Sequence, residues 1–220
     1  MVDHPVMSAR QKFCRAVVVA AGALISSVAV AVEEAPHEVV IKEGPYELRD
    51  YAPRILAEIR VEGDFKSAGN AAFQDLFGYI SGDNRQQQDI AMTAPVSQQA
   101  TAARIDMTAP VSQQKTAATD GAESWDVSFL LPPQYTPETA PLPTNPDVKL
   151  RTLPAMRMAA VRFSGFWSEE NFASWQQELE TWVIQQGWEV TGDATWARYN
   201  PPFTPWFMRR NEVLLPVSQE

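Results

Sequence analysis

Tyr199, Phe203, Trp206, Phe207 and Met208 crowd into the segment "YNPPFTPWFMRRNE", and Arg209 and Arg210 follow at once. Large apolar side chains on a proline-stiffened loop either cap a core or lie over a ligand. Proline reduces the entropy lost in holding such a wall in place. The loop as a whole reads as a ligand wall. Residues for making and breaking bonds are sparse. The chain has two histidines, His4 and His37, and one cysteine, Cys14. These supply no zinc ligand set. There is no G-x-S-x-G elbow, no P-loop and no G-x-G-x-x-G segment. Glu169 and Glu170 stand at a helix start, where they complement the dipole. The chain reads as a binding protein without catalytic function.

The elements that must position these residues begin after a separate leader. Arg10, Lys12 and Arg15 precede the apolar run "AVVVAAGALISSVAVAV", Ala16 to Val32, and Ala29-Val30-Ala31 offers small residues for signal peptidase. Residues 1–31 are therefore expected to be a signal peptide, with an uncleaved inner-membrane anchor as the alternative, and residues 32–220 a single domain. Cys14 precedes the apolar run, so the expected mature chain has no cysteine and no disulfide. Export without disulfides points to a periplasm or a similarly exported location. Removing residues 1–31 leaves 15 basic against 26 acidic side chains, a formal charge of −11. Such a chain is repelled by nucleic acid and by anionic lipid. Neither nucleic acid nor a membrane span is expected of it.

Within the domain, "HEVVIKEGPYELRDY" alternates on either side of Gly44-Pro45 and predicts two strands around a turn. "RILAEIRVEG" predicts a further strand. From Asp64 the period changes: Ala72, Phe73, Leu76, Phe77 and Ile80 predict one apolar helical face, ended by Ser81-Gly82-Asp83-Asn84. Six of the 17 prolines lie in residues 132–147, which predicts an extended surface connection. "VKLRTLPAMRMAAVRFSG" returns to strand, "SEENFASWQQELETWVIQQG" predicts a second amphipathic helix opened by Ser168 and stopped at Gly187, and two strands flank the aromatic loop.

A shift of 102 residues lays the halves on each other. Ala57, Arg60 and Gly63 meet Ala159, Arg162 and Gly165, and Phe73, Gln74, Phe77 and Ile80 meet Trp175, Gln176, Leu179 and Trp182. Both halves then read β-α-β-β, which predicts a pseudo-twofold α+β architecture with a cleft between half-sheets. A closer repeat joins the halves: the decamer Ile90–Gln99, "IAMTAPVSQQ", recurs as Ile105–Gln114 with Asp106 in place of alanine. Alternation puts Ile105, Met107, Ala109 and Val111 on one side. Pro95 and Pro110 predict that neither copy is a central strand.

"IAMTAPV" after a helix, together with "YNPPFTPWFMRRNEVLLPV", resembles the SOUL/heme-binding protein family in its bacterial exported form. The likeness runs from about Glu38 to Val217. It implies a distorted antiparallel β-barrel with two helices and pseudo-twofold symmetry. It also implies a tetrapyrrole ligand, heme or a porphyrin, held without catalysis in an apolar groove for carriage or buffering. On that resemblance the groove wall falls on Phe73, Phe77 and Phe203, with Trp206 and Tyr199 beside it. The positions from which heme-binding members offer cations to the propionates are Asn70, Gly78 and Thr204 here, which leaves Arg85, Arg209 and Arg210 as substitutes. His37, Tyr199, Met92 and Met107 are the side chains able in principle to ligate iron. The alternative function is an envelope module for another apolar small molecule or a partner peptide.

Overall fold

The computed structural model describes residues 34–87, 102–116 and 123–219. The leader (residues 1–31), Met92 and the first decamer copy lie outside these. In chain order the strands and helices are β1 (His37–Glu43), β2 (Tyr46–Tyr51), β3 (Arg54–Glu62), α1 (Phe65–Ser81), β4 (Asn84–Arg85), β5 (Val111–Thr116), β6 (Ser124–Leu130), β7 (Leu142–Pro143), β8 (Lys149–Leu153), β9 (Met156–Phe163), α2 (Glu169–Gln185), β10 (Glu189–Val190), β11 (Thr195–Arg198) and β12 (Asn211–Ser218). The fold class is α+β, as expected. Among the described residues no helix is long and apolar enough to cross a membrane.

The main sheet is antiparallel in the order β1-β2-β9-β12-β11-β5-β6-β3-β8. From β2 to β8 this order is a palindrome of the two halves. β3-α1-β5-β6 matches β9-α2-β11-β12, and the leading strands β2 and β8 each cross to the other half. Only Ala52-Pro53 links β2 to β3, and only Pro154-Ala155 links β8 to β9. Two residues span at most about 11 Å between the flanking Cα atoms, so the two ends of the sheet are drawn together and the sheet curls. No ladder joins β1 to β8 among the described residues. The observed object is therefore a curled open sheet.

Local chemistry explains the elements. Gly44 takes φ +57° in the β1–β2 turn. Gly63 and Gly165, which follow β3 and β9 at equivalent places, take φ +129° and +142°, a region that side chains with a Cβ rarely adopt. The Asp64 carboxylate accepts from the Lys66 and Ser67 amides at 2.9 and 3.0 Å and caps α1. The Ser168 hydroxyl accepts from the Asn171 amide at 3.3 Å and caps α2, whose first turn holds Glu169 and Glu170.

Both helices cover one face of the sheet. They meet where Phe65 of α1 and Phe172 of α2 pack on Trp196 of β11, with ring centroids 5.3–5.6 Å apart. Trp125, Val127, Ala159, Val161 and Val213 complete that core from the strands. Their neighbours in alternation, Tyr51, Met158, Ala160, Ala197 and Leu214, form a second cluster on the concave face.

Three expectations change. The inward face of α1 is Ala68, Gly69, Ala72, Leu76, Tyr79 and Ile80, whereas Phe73 is half-buried and Phe77 is 46% exposed. Burial pairs Leu76, Tyr79 and Ile80 with Leu179, Trp182 and Val183, a shift of 103, because the turn before α2 is longer than the turn before α1. Second, Val111, reached through Pro110, opens a strand bonded on both sides, so the second decamer copy feeds a central strand. Proline still respects its constraint by standing just ahead of the ladder. Ile105 and Ala109 are buried while Met107 is exposed, so this stretch does not alternate as a strand. Third, the proline-rich connection is pinned at its far end. Ala140 is buried, and the buried Tyr79 hydroxyl donates to the Pro141 carbonyl at 2.8 Å.

The revised face of α1 has a direct consequence for stability. Leu76→Ala empties a fully buried site and is expected to cost about 2–5 kcal/mol. Phe77→Ser changes an exposed site and should stay within about 0.5 kcal/mol. Urea unfolding of the two variants checks the assignment.

Candidate functional site

The aromatic loop is held rigid by its own backbone and arginine. The Tyr199 amide donates to the Arg210 carbonyl, the Gly165 amide to the Trp206 carbonyl, and Arg209 donates to the carbonyls of Thr204 and Pro202 at 2.8 and 2.9 Å. Trp206–Met208 forms one 3-10 turn. Its side chains do not enter the core: Phe203 is 87% exposed, Trp206 49%, Phe207 60% and Met208 65%. Phe166 joins them, stacked on Trp206 at 5.2 Å, and Phe207 meets the Trp206 ring edge-on at 5.6 Å. Large apolar groups gathered in water are a costly arrangement unless something covers them.

Trp167, next to Phe166, connects this ridge to α1. Its indole N–H donates to Asn211 at 2.8 Å, and two guanidiniums stand over its ring, Arg209 at 4.2 Å and Arg198 at 5.3 Å. Arg198 also faces the Phe65 ring at 5.6 Å and reaches the backbone of Gly69, where an added Cβ would stand 2.8 Å from its Nη2. Gly69, Phe73 and Phe77 follow at intervals of four along α1, so they form one stripe. Phe73 and Phe77 stack at 5.9 Å, nearly parallel. The stripe thus runs from a half-buried cation at Gly69 to an exposed ring at Phe77.

Arg198 is the residue the sequence reading missed. Its Nε is buried without an acceptor, and no carboxylate pairs with it among the described residues. Burial pulls its pKa down to about 10. Gln113, behind the same Gly69, leaves its Oε1 without a donor while its Nε2 donates to the Phe65 carbonyl. A charge in this state is short of a counter-ion.

Two residues expected at the groove are committed elsewhere. Glu212, fully buried, accepts from Arg49 at 2.8 and 3.2 Å, from the Tyr199 hydroxyl at 2.7 Å and from Arg210 at 2.8 and 3.0 Å. Arg210 also holds Glu34 and lies 3.8 Å from the Tyr199 ring. Tyr199 and Arg210 therefore serve an internal ion network, and the cation beside the aromatic ridge is Arg198 with Arg209. Arg85 is exposed on β4. His37 opens β1, shares its Nδ1 with the Ala35 carbonyl at 3.0 Å and packs on Tyr51 at 5.0 Å, on the sheet face away from the helices. Met107 is 44% exposed, in the stretch leading to β5. Among the described residues no cluster of three or more His, Cys, Asp or Glu could hold a metal ion.

The architecture is a curled antiparallel sheet of two repeated halves, with helices on one side and an aromatic surface beside an arginine that no carboxylate pairs among the described residues. Residues 32–216 match the SOUL heme-binding protein family, and the chain belongs to that family. It is 28% identical over 193 residues to Heme-binding protein 2 of Mus musculus, covering 85% of each chain. It is 29% identical over 208 residues to Heme-binding protein 2 of Homo sapiens, covering 90% of this chain and 93% of that one. Among solved structures, the EcmrR C-terminal domain aligns at a TM-score of 0.54 and 11% identity, over 80% of this chain and 98% of that one. That last likeness is one of fold.

Proposed function

We propose that this protein binds heme or a related porphyrin without catalysis, on the surface formed by the Gly69–Phe73–Phe77 stripe and the ridge of Phe166, Phe203 and Trp206. Its role is carriage or buffering of that ligand in the cell envelope. The observation that carries the reading is the exposed aromatic ridge standing next to Arg198, a half-buried cation whose Nε has no acceptor. The macrocycle would cover the apolar side chains, and a propionate would accept from the Nη groups of Arg198, the part of the guanidinium that is not enclosed, with Arg209 as a second donor. No iron ligand is required for this mode. Membership of the SOUL family supports a heme-type ligand. The apolar leader supports export, and a barrel-like closure of the curled sheet agrees with the short links at its two ends.

Hemin titration followed by its Soret band tests the reading. One-to-one saturable binding is expected. Trp206→Ser and Phe77→Asp should each weaken it about tenfold or more, since covering a large apolar side chain is worth roughly 1.5–3 kcal/mol. Both replace exposed side chains, so their urea midpoints should match the parent. His37→Ala should leave the spectrum unchanged. Unsaturable partitioning of hemin, equal in parent and variants, would refute the proposal.

A further inference from the structure

A different cavity, of about 350 Å³, lies inside the curl of the sheet. Leu56, Leu130, Leu153, Met156, Met158 and Leu214 give it an apolar wall. These residues alternate with core residues on β3, β6, β9 and β12, so they face away from both helices. The aromatic ridge contributes nothing to this lining. The volume is at the lower end of the roughly 300–1,000 Å³ typical of small-molecule sites, which suits a ligand smaller than a tetrapyrrole.

Arg54 stands in this wall at the seam where the sheet ends approach. Its guanidinium lies 4.5 Å from the Tyr51 ring, and its Nη2 points at the sulfurs of Met158 and Met156, 3.3 and 3.6 Å away. Among the described residues its other hydrogen bond is to the Ala52 carbonyl at 3.5 Å. Thioethers are weak acceptors, so a group with five N–H donors is left poorly served. Its pKa is lowered, first by burial and further by the charge of Arg151 on the same wall. The lining carboxylates are engaged or distant. Glu58 accepts from Arg151 at 2.6 Å, Asp126 from Arg60 at 2.7 and 2.8 Å, and Glu34 from Arg210. Asp193 precedes Thr195, which is aligned through Gln114 and Asp126 with Arg60, at the far end of β3 from Arg54.

We infer that this cavity is a second ligand site, for a compact amphipathic carboxylate. The carboxylate meets Arg54, and the apolar body lies against Met156, Met158, Leu130 and Leu214. An uncharged ligand of the same shape would fill the cavity and leave the guanidinium unserved. A cationic one would meet Arg54 as a like charge, while Glu58, Asp126 and Glu34 are already taken by Arg151, Arg60 and Arg210.

Calorimetric titration of the purified protein with decanoate, decanol and decyltrimethylammonium tests the assignment. Decanoate should bind one-to-one, at least tenfold more tightly than decanol, and the ammonium compound should not bind. Arg54→Met should bring decanoate down to the affinity of decanol and leave decanol unchanged. Leu130→Trp, which fills the cavity, should abolish both. Decanoate should bind equally with hemin present, which separates this site from the aromatic surface. Equal affinity for decanoate and decanol in the parent, tighter binding of the ammonium compound, or displacement of decanoate by stoichiometric hemin would each overturn the inference. The comparison of parent ligands stands even if neither variant folds.

Discussion

Glu212→Gln is expected to cost about 3–5 kcal/mol of folding stability, the range found when one partner of a buried ion pair is removed. The parent carboxylate, fully buried on β12, receives hydrogen bonds from Arg49, Arg210 and Tyr199. Arg49 is 3% exposed and Arg210 is half-buried. Without the carboxylate, among the described residues, Arg49 keeps only Glu47, which accepts from its Nε at 2.7 Å, and Arg210 keeps only Glu34. The surface pair Arg60–Asp126 is a contrast, because Arg60 is 66% exposed in its side chain. Arg60→Ala should shift stability by no more than about 1 kcal/mol. Linkage supplies a second test. Burial alone would raise the pKa of Glu212, but hydrogen bonds from Arg49 and the charges of Arg49 and Arg210 outweigh it and hold the group below its ordinary value. A depressed folded-state pKa means the carboxylate stabilises the fold above the unfolded value, about 4.3, and loses that contribution as pH falls through the folded value. The gap between parent and Glu212→Gln in urea midpoint should therefore be full at pH 7 and shrink below about pH 4. A gap independent of pH would show that the lost energy is not that of the charge.

The backbone plan was legible because it rests on local rules. Alternation around Gly44-Pro45, the Ser168 cap and the equivalent glycines Gly63 and Gly165 all act over a few residues, and each is where the structure has it. The repeat was legible in the strands, where Ala57 and Ala159 are both fully buried. It slipped in the helices, since the longer turn before α2 rotates one face against the other. Phe77 was put on the inward face by apolar spacing alone, one position past Leu76, where the helix already turns outward. Its exposure makes it more useful for ligand contact, because a core residue cannot serve both roles. β5 was misread for a different reason. Pro110 argues against strand locally, but the ladder begins one residue later, and only the tertiary arrangement shows that it is central. Arg198 had a local signal that went unused: in "TWARY" it shares a strand face with the buried Trp196. A lone arginine on a core face, with no acid at matching spacing, marks a charge awaiting a partner. The Arg54 cavity had no such signal, because it exists only where strands distant in sequence curl together.

Arg198→Met separates ligand binding from stability, and the two effects have opposite signs. In the free protein the guanidinium is partly desolvated, and its buried Nε lacks an acceptor. Removing an unsatisfied buried polar group recovers about 1–3 kcal/mol. The contacts of the cation with the Phe65 and Trp167 rings, at 5.6 and 5.3 Å, are worth roughly 0.5–1 kcal/mol each and are lost. Methionine fills the same slot and keeps a sulfur against the rings. The balance leaves stability unchanged or raised by up to about 2 kcal/mol. Hemin affinity should move the other way. A charge-assisted hydrogen bond to a propionate is worth about 1.5–3 kcal/mol, so its loss weakens binding by roughly 10- to 100-fold. A neutral porphyrin ester lacks the anion and should bind the parent and Arg198→Met alike. Urea midpoints together with hemin and ester titrations measure all three quantities. An arginine kept for packing would lose stability on replacement and leave hemin affinity intact, whereas one kept for a ligand's acid group shows the reverse.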